Sequence, residues 1–456
     1  MFEPVIFREY DVRGIYNKEF DLDFAYKLGR AFTTYVFNNT GKTSMRLSIG
    51  YDARNSSLAI VEKLAQGMRD SGAHVLILGL VTTPVCYYST FQLDLDGAIM
   101  VTGSHNPPEY NGFKISLGKT TIFGEEIQTL KKMLLAENYI SGNGSIKNYD
   151  IFPEYLARYK TEFGSLKPIK VVLDCGNGAA GSIARRLYAV AGLNPEILFE
   201  EPDGNFPNHH PDPTVEKNLV HLAKKVVDTG AVCGIGFDGD ADRIGIVDHN
   251  GKMIYGDELM TIFARAILKE NQDVNIIGDV KCSDRMYHDI AKHGGRPVMW
   301  KTGHSLIKEK VKVDKAPFGG EMSGHVFFAD RNYGYDDAPY AGLRLCEIIS
   351  TTGKNIQQLL HGLPPSFNTP EIRIDTTEEK KILIVEKVKE KFTELVKTSD
   401  IKLNFIDGIR ISFQDGWALC RASNTQAIIV VRFESNTPEG LKRIETSVME
   451  IVNKYL

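Results

Sequence analysis

Three times along the chain, a run of small and branched apolar residues ends in an aspartate, followed by a short loop and a helical pattern. MRLSIGYD (45–52) ends at Asp52 before Ser57 to Asp70. KVVLDC (170–175) carries Asp174 before Ala180 to Val190, and VNIIGDV (274–280) carries Asp279 before Asp284 to Lys292. Runs that are apolar throughout, without alternation, suit strands covered on both faces, and strands spaced by helices make βαβ units in a mainly parallel sheet. HVLILGL (74–80) and GAIMVTG (97–103) add two buried strands to the first copy, after the amphipathic stretch Asp23 to Val36. Copies about a hundred residues apart are too long and irregular for a solenoid and suit successive α/β domains. A chain of 456 residues has room for three of them and one more.

The breaks lie where regular structure is discouraged. SGNGSIKN (141–148) reads as a polar linker, and DHNGKM (248–253) follows the end of another strand. LPPSFNTP (363–370) is the clearest boundary, since its prolines block regular structure. Beyond it come a strand (EIRID), a charged helix from Thr377 to Lys397, three strand-like runs between Asp407 and Glu434, and a helix from Pro438. Strands and helices are segregated there, as in an α+β domain. The expected domains are 1–148, 149–250, 251–366 and 367–456. Net charge is −4, from 54 basic and 58 acidic residues, which offers no general field for nucleic acid or an acidic membrane. No apolar run approaches ~18 residues, and the start MFEPVIFREYDVRG lacks a leader pattern, so neither a membrane nor a nucleic-acid partner is expected. Six scattered cysteines without a C-x-x-C pair suit buried thiols in a reducing cytoplasm.

Four motifs carry chemistry. In VTGSHNPPEYNGFK (101–114), Ser104 sits where the chain leaves a buried strand, and Asn106-Pro107-Pro108 forbids a helix. The loop is stiff and lies at the carboxyl end of a parallel strand, where sites form in such sheets; a Ser/Asn capping turn would look the same. FDGDADR (237–243) ends an apolar strand with Asp238, Asp240 and Asp242 at alternate positions, followed by Arg243. Three hard oxygen donors in one loop suit Mg²⁺ or Ca²⁺ better than zinc, and a merely solvated acidic turn has little reason to follow such a strand. GEMSGH (320–325) spaces Glu321, Ser323 and His325 by two, which in an extended segment points all three to one side. Such a comb can read a polyol, or be a satisfied polar turn. RASNTQ (421–426) places a guanidinium, hydroxyls and an amide together, as in a small phosphate clamp or a plain hairpin turn.

In this order and at these separations, from FREYDVRG (7–14) to RASNTQ, the motifs resemble the α-D-phosphohexomutase family, in particular its bacterial phosphomannomutase/phosphoglucomutase branch. The resemblance implies an α/β protein: three similar domains with mixed, mainly parallel sheets and a smaller C-terminal α+β domain around a central cleft. It also implies reversible phosphoryl transfer between the 1- and 6-positions of mannose and glucose phosphates. A phosphoserine and a hexose 1,6-bisphosphate intermediate, also the activator, carry that transfer. By position, Ser104 would carry the phosphoryl group, and Asp238, Asp240 and Asp242 would hold Mg²⁺ together with an oxygen on Ser104. Arg243, His105 and Lys114 would surround the reacting phosphate, Lys114 as general base or acid. Tyr10, Arg13, Lys281 and His304 would line the sugar channel. Glu321, Ser323 and His325 would contact the sugar, and Arg421, Ser423, Asn424 and Thr425 would grip the other phosphate. Many members carry Glu-Pro after Ser-Asn-Thr, where this chain has Gln426-Ala427, a change in the shape of the turn more than in its contacts. A metal-dependent sugar-phosphate phosphatase, a phosphoglucosamine mutase and a non-catalytic sugar-phosphate sensor are the competing readings, and nothing in the sequence bears on oligomeric state.

Overall fold

The computed structural model describes residues 2–424 and 426–456. Its strands form four sheets in chain order, of seven, five, four and six strands. In the first, the main order is Val12–Ile15, Tyr110–Leu117, Gly97–Val101, Met45–Tyr51, Ala73–Leu80 and Ser145–Asn148. The last four run parallel to one another, and the first two are antiparallel additions. The second sheet pairs Cys233–Phe237 parallel with Val171–Asp174 and antiparallel with Ile244–Asp248. The third pairs Asn275–Asp279 parallel with Arg296–Trp300 and Phe318–Gly320, then closes with the antiparallel strand Val326–Phe328. The fourth sheet is antiparallel throughout, and the helices Glu378–Leu395 and Pro438–Tyr455 pack on it. This is the α/β architecture with a C-terminal α+β unit that the sequence led us to expect.

Local chemistry explains the elements. The helix Leu22–Thr40 starts where the Asp21 carboxylate accepts from Phe24 N–H and stops at left-handed Gly41. It crosses the helix Ser57–Asp70 at backbone distance, because a Cβ on Gly29 would lie 2.2 Å from Leu64 O and one on Gly67 2.0 Å from Tyr26 O. Three details depart from the sequence reading. Ser145–Asn148, within the linker, pairs with Ala73–Leu80 as an edge strand. Phe367–Asn368, within the proline-rich break, pairs with Ser435 and Glu434, since edge positions tolerate neighbouring prolines. The stretch expected as one helix from Ala180 is a 3₁₀ turn, Ala179–Ser182, followed by Ala184–Val190.

The first three units share apolar interior. One continuous core runs from Val81, Val85 and Tyr88 through Tyr155, Leu173 and Ile235 to Phe263, Phe318 and Tyr340. The C-terminal unit has its own core and meets the third unit through a small cluster of Val280, Trp417 and Leu419. Two fully buried arginines complete that junction. Arg410 donates to the carbonyls of Val280 and Cys282, and Arg432 to that of Lys281 and to Asp257 at 3.2 Å. They satisfy carbonyls that leave the strand Asn275–Asp279, where an unpaired buried acceptor costs about 1–3 kcal/mol.

Candidate active site

Ser104 is 2% exposed and takes φ +50°, the left-handed region that a non-glycine residue occupies only when its surroundings hold it there. Its Oγ donates to Asp238 Oδ2 at 2.9 Å, across the boundary between the first and second sheets, and lies 3.1 Å from His105 Nδ1. The close approach depends on Gly239, where a Cβ would lie 2.3 Å from Ser104 O. Burial, then repulsion by Arg243 and Arg13, push the His105 imidazole well below its usual pKa, so its ring is neutral. Arg13 donates to Asn106 Oδ1 at 2.7 Å and pairs with Asp11 at 2.5 Å.

The aspartate loop is fully buried: the turn after Phe237 is covered by the Ser104 loop and by Thr83. Its three carboxylates each place an oxygen within 4.8 Å of the others. Burial, then the neighbouring Asp242 and Asp240, push Asp238 well above the usual carboxylate range. Burial also works against charge on Asp240, but Lys114 at 2.8 Å and Thr83 at 2.6 Å hold it well below. Lys114 also pairs with Asp242, and despite burial these two carboxylates raise its ammonium well above the usual range. Among the described residues, Asp240 Oδ1 and Asp242 Oδ1 are buried without a donor. Two orphaned carboxylate oxygens beside a third carboxylate are a fit for a hard divalent cation.

Arg243 Nε donates to His325 Nε2 at 2.9 Å, and His325 Nδ1 lies 3.0 Å from Asp336. GEMSGH is not extended: it is the turn of the hairpin Phe318–Gly320 to Val326–Phe328, with Glu321 N–H bonded to His325 O and Gly324 at φ +85°. Glu321 and His325 point into the buried interior, while Ser323 is half-buried in the turn. Glu321 Oε1 accepts from Gly303 N–H at 2.7 Å, which ties the hairpin to KTGH (301–304). His304 stacks on His325 at 5.4 Å and meets Tyr10 edge-on at 5.9 Å. Tyr10 joins three units, donating to Thr302 O at 2.9 Å and accepting from Asn424 Nδ2 at 2.6 Å. Arg421 is held by Asp407 at 3.0 Å, and Lys281 lies 3.2 Å from Glu371. In the clamp turn, Ser423 Oγ accepts from Gln426 N–H, and Gln426 Oε1 accepts from Arg373 at 2.5 Å. The glutamine that departs from the family pattern thus anchors the turn. Thr425 lies outside the described residues.

Sequence reasoning missed several anchors. Asp336 receives Lys308 at 2.9 Å besides His325; burial opposes its charge, yet Lys308 holds it well below the usual range. Its signal was the doubled Asp336-Asp337, since Asp337 alone caps the helix Ala338–Thr352. Arg54, two residues after the strand-ending Asp52, had the same kind of local signal. Asp407 and Glu371 had none, because Thr302 and Lys281, which they meet across units, are distant in the chain.

Glu371 permits a stability test. Burial alone would raise its pKa, but Lys281 and Arg373 hold it at about 2, against 4.5 for an unperturbed glutamate. A depressed pKa contributes stability that is complete above 4.5 and lost as pH falls from there toward 2, at most about 3 kcal/mol. Glu371→Gln should therefore destabilise the protein near pH 7, and the gap in thermal midpoint from the wild type should narrow as pH falls from 4.5 toward 2. A gap that does not change with pH would mean the Lys281–Glu371 pair contributes nothing.

Comparison with known proteins agrees with this geometry along the whole chain. The phosphoglucomutase/phosphomannomutase family descriptions match in order: alpha/beta/alpha domain I over 4–139, II over 152–251, III over 255–367, and the C-terminal domain over 371–451. A phosphomannomutase/phosphoglucomutase of Pseudomonas syringae pv. tomato is 44% identical over 96% of this chain and 93% of its own length. A phosphoglucomutase of Neisseria gonorrhoeae is 40% identical, covering 98% and 96%. The crystal structure of a phosphoglucomutase/phosphomannomutase family protein from Burkholderia thailandensis superposes with a TM-score of 0.92 at 39% identity, over 100% of this chain and 98% of that one. With matches in every sheet and all four motifs in place, the chain belongs to the phosphoglucomutase/phosphomannomutase family of α-D-phosphohexomutases.

Proposed function

We propose that the chain is a phosphomannomutase/phosphoglucomutase that moves a phosphoryl group between the 1- and 6-positions of mannose and glucose phosphates. One observation carries this reading: Ser104 Oγ, held on a left-handed turn, reaches 2.9 Å from the aspartate loop of the next domain. The domains 1–148, 149–250, 251–366 and 367–456 supply in turn the nucleophile, the metal loop, the sugar reader and the distal clamp. Transfer of a phosphoryl group passes through a loose, metaphosphate-like state, so the protein's work is positioning and neutralising charge. Asp238, Asp240 and Asp242 are the residues to hold Mg²⁺, which when bound neutralises charge on the phosphoryl oxygens. Arg243 adds fixed positive charge. Lys114, which pairs with Asp240 and Asp242, is our choice for the general base or acid of the transfer. The neutral His105, beside Ser104 Oγ, takes the serine proton when the phosphoryl group returns to the enzyme.

The phosphoryl group passes from Ser104 to the free hydroxyl of the sugar monophosphate, whose proton is handed to the Ser104 oxygen as its P–O bond breaks, giving the 1,6-bisphosphate, and the other phosphate then returns to Ser104 with the reverse proton exchange. The intermediate must turn round between the two transfers. Arg421, Ser423, Asn424 and Thr425 therefore grip whichever phosphate is not reacting, while Tyr10, Arg13, Lys281 and His304 line its path. Added hexose 1,6-bisphosphate activates the enzyme by rephosphorylating Ser104 after an intermediate escapes. Six buried free cysteines support a cytoplasmic location.

Sugar choice tests the reading. Glu321 and Ser323 address the 3- and 4-hydroxyls, which glucose and mannose share, and no assigned group reads carbon 2. A site that leaves the differing group untouched discriminates weakly. With catalytic hexose 1,6-bisphosphate, the 1- and 6-phosphates of glucose should interconvert, and likewise those of mannose, with kcat/KM values for the two sugars within about tenfold, or 1.4 kcal/mol. Release of inorganic phosphate as the main product would make the protein a phosphatase, and a strong preference for glucosamine phosphate would make it a phosphoglucosamine mutase.

A further inference from the structure

The nucleophile loop leaves its strand with carbonyls turned inward, and one buried side chain gathers four of them. The Arg54 guanidinium donates through Nη2 to Ser104 O at 2.9 Å and Asn106 O at 2.6 Å, and through Nη1 to Pro107 O at 2.5 Å and Tyr110 O at 2.9 Å. Its fifth N–H, on Nε, goes to Asp52 Oδ2 at 3.1 Å. All five donors of a planar guanidinium are in use, an arrangement that a lysine, with three donors on a single nitrogen, cannot reproduce.

Asp52 completes the device by accepting from Thr102 Oγ1 at 2.8 Å and Gly103 N–H at 3.1 Å. The packing leaves no slack, since a Cβ on Gly103 would lie 2.4 Å from the Arg54 Cζ. The second unit closes over the same group. The Phe206 ring lies 5.3 Å from Arg54 Cζ, Asn55 bonds Asn205 at 3.0 Å, and a Cβ on Gly204 would lie 2.5 Å from Asn55 N. Arg54 is therefore joined both to the loop that carries Ser104 and to the unit that carries Asp238.

We propose that Arg54 is a positioning residue for phosphoryl transfer: it holds Ser104 in its left-handed conformation and sets the Oγ against the aspartate loop across the domain boundary. The proposal rests on reading Ser104 as the phosphoryl carrier. Arg54 bonds none of the residues assigned to the sugar channel or the distal clamp, so it acts on the reaction and not on substrate binding. Misplacement of a reacting atom by about 1 Å costs on the order of 10²-fold in rate.

Arg54→Lys keeps the charge and should lower kcat about 10²-fold while KM for glucose 1-phosphate stays within about threefold. Phosphorylation of Ser104 by glucose 1,6-bisphosphate, followed by intact-protein mass, should slow in parallel. Phe206→Leu keeps all five bonds, removes the ring from the guanidinium and should lower kcat by a smaller factor, again without a change in KM. It also decides the matter if Arg54→Lys does not fold. A kcat within threefold of wild type in folded Arg54→Lys, or in Phe206→Leu where Arg54→Lys does not fold, would overturn the proposal, as would a loss confined to KM. Failure of the phosphoserine reading is distinguishable, since wild-type protein would then show no phosphate adduct on Ser104.

Discussion

Ser104→Ala should lower turnover by at least ~10⁴-fold, the scale for removing a covalent nucleophile, and abolish the phosphate adduct that wild-type protein shows by intact mass. The substitution is clean because alanine meets the same backbone condition at φ +50° and removes only the Oγ. It leaves Asp238 Oδ2 without the serine donor at 2.9 Å, while Oδ1 keeps the N–H groups of Asp242 and Arg243. The stability cost is therefore about 1–3 kcal/mol, far short of unfolding a chain with so large a shared core. Sugar phosphate should still bind, since the distal clamp and the sugar-facing residues are untouched. Near-normal turnover in Ser104→Ala would end the phosphoserine mechanism.

Asp240→Asn should weaken divalent-cation binding by ~10²-fold and lower turnover with it, because one of three hard anionic donors becomes a neutral amide. The loop is buried, so stability moves as well. Lys114 loses one of its two carboxylates, while the repulsion that raises Asp238 is relieved. These act in opposite directions, and the net loss should stay below ~3 kcal/mol, the lower end for breaking a buried pair. The deciding measurement is thermal midpoint against Mg²⁺ concentration, since a ligand bound only by the folded state raises it by mass action. Wild-type protein should gain stability with added Mg²⁺ and lose turnover in EDTA, and Asp240→Asn should gain little. An equal gain in both proteins, or full wild-type turnover in EDTA, would show that the aspartate loop is not the metal site.

Much of this was legible in the chain because its signals are local. Apolar runs without alternation set out the parallel strands, the prolines after Leu363 marked the change to an antiparallel unit, and Pro438 opens the final helix, Pro438–Tyr455, as expected. DGDADR announced three carboxylates on one loop because alternate positions of a short turn converge whatever surrounds them. GEMSGH misled for the opposite reason. Its period of two has meaning only in an extended chain, and Gly324, at φ +85°, turns it into a hairpin that sends Glu321 and His325 inward and leaves Ser323 in the turn.

What the sequence by itself determined is the set of elements, the domain order and the residue types available for chemistry, since these follow from hydrophobic period, turn residues and spacing along one stretch of chain. Only the tertiary structure decided which groups meet and in what state of charge. Lys114 became a partner of Asp240 and Asp242, Arg54 the support of the Ser104 loop, Asp336 the anchor of His325 and Lys308, and Glu371 the counter-ion of Lys281. Each of these pairs joins residues from different elements, most of them far apart in the chain. Their energies come from burial and from distances of about 3 Å, quantities that exist only once the sheets have packed and that no local pattern encodes.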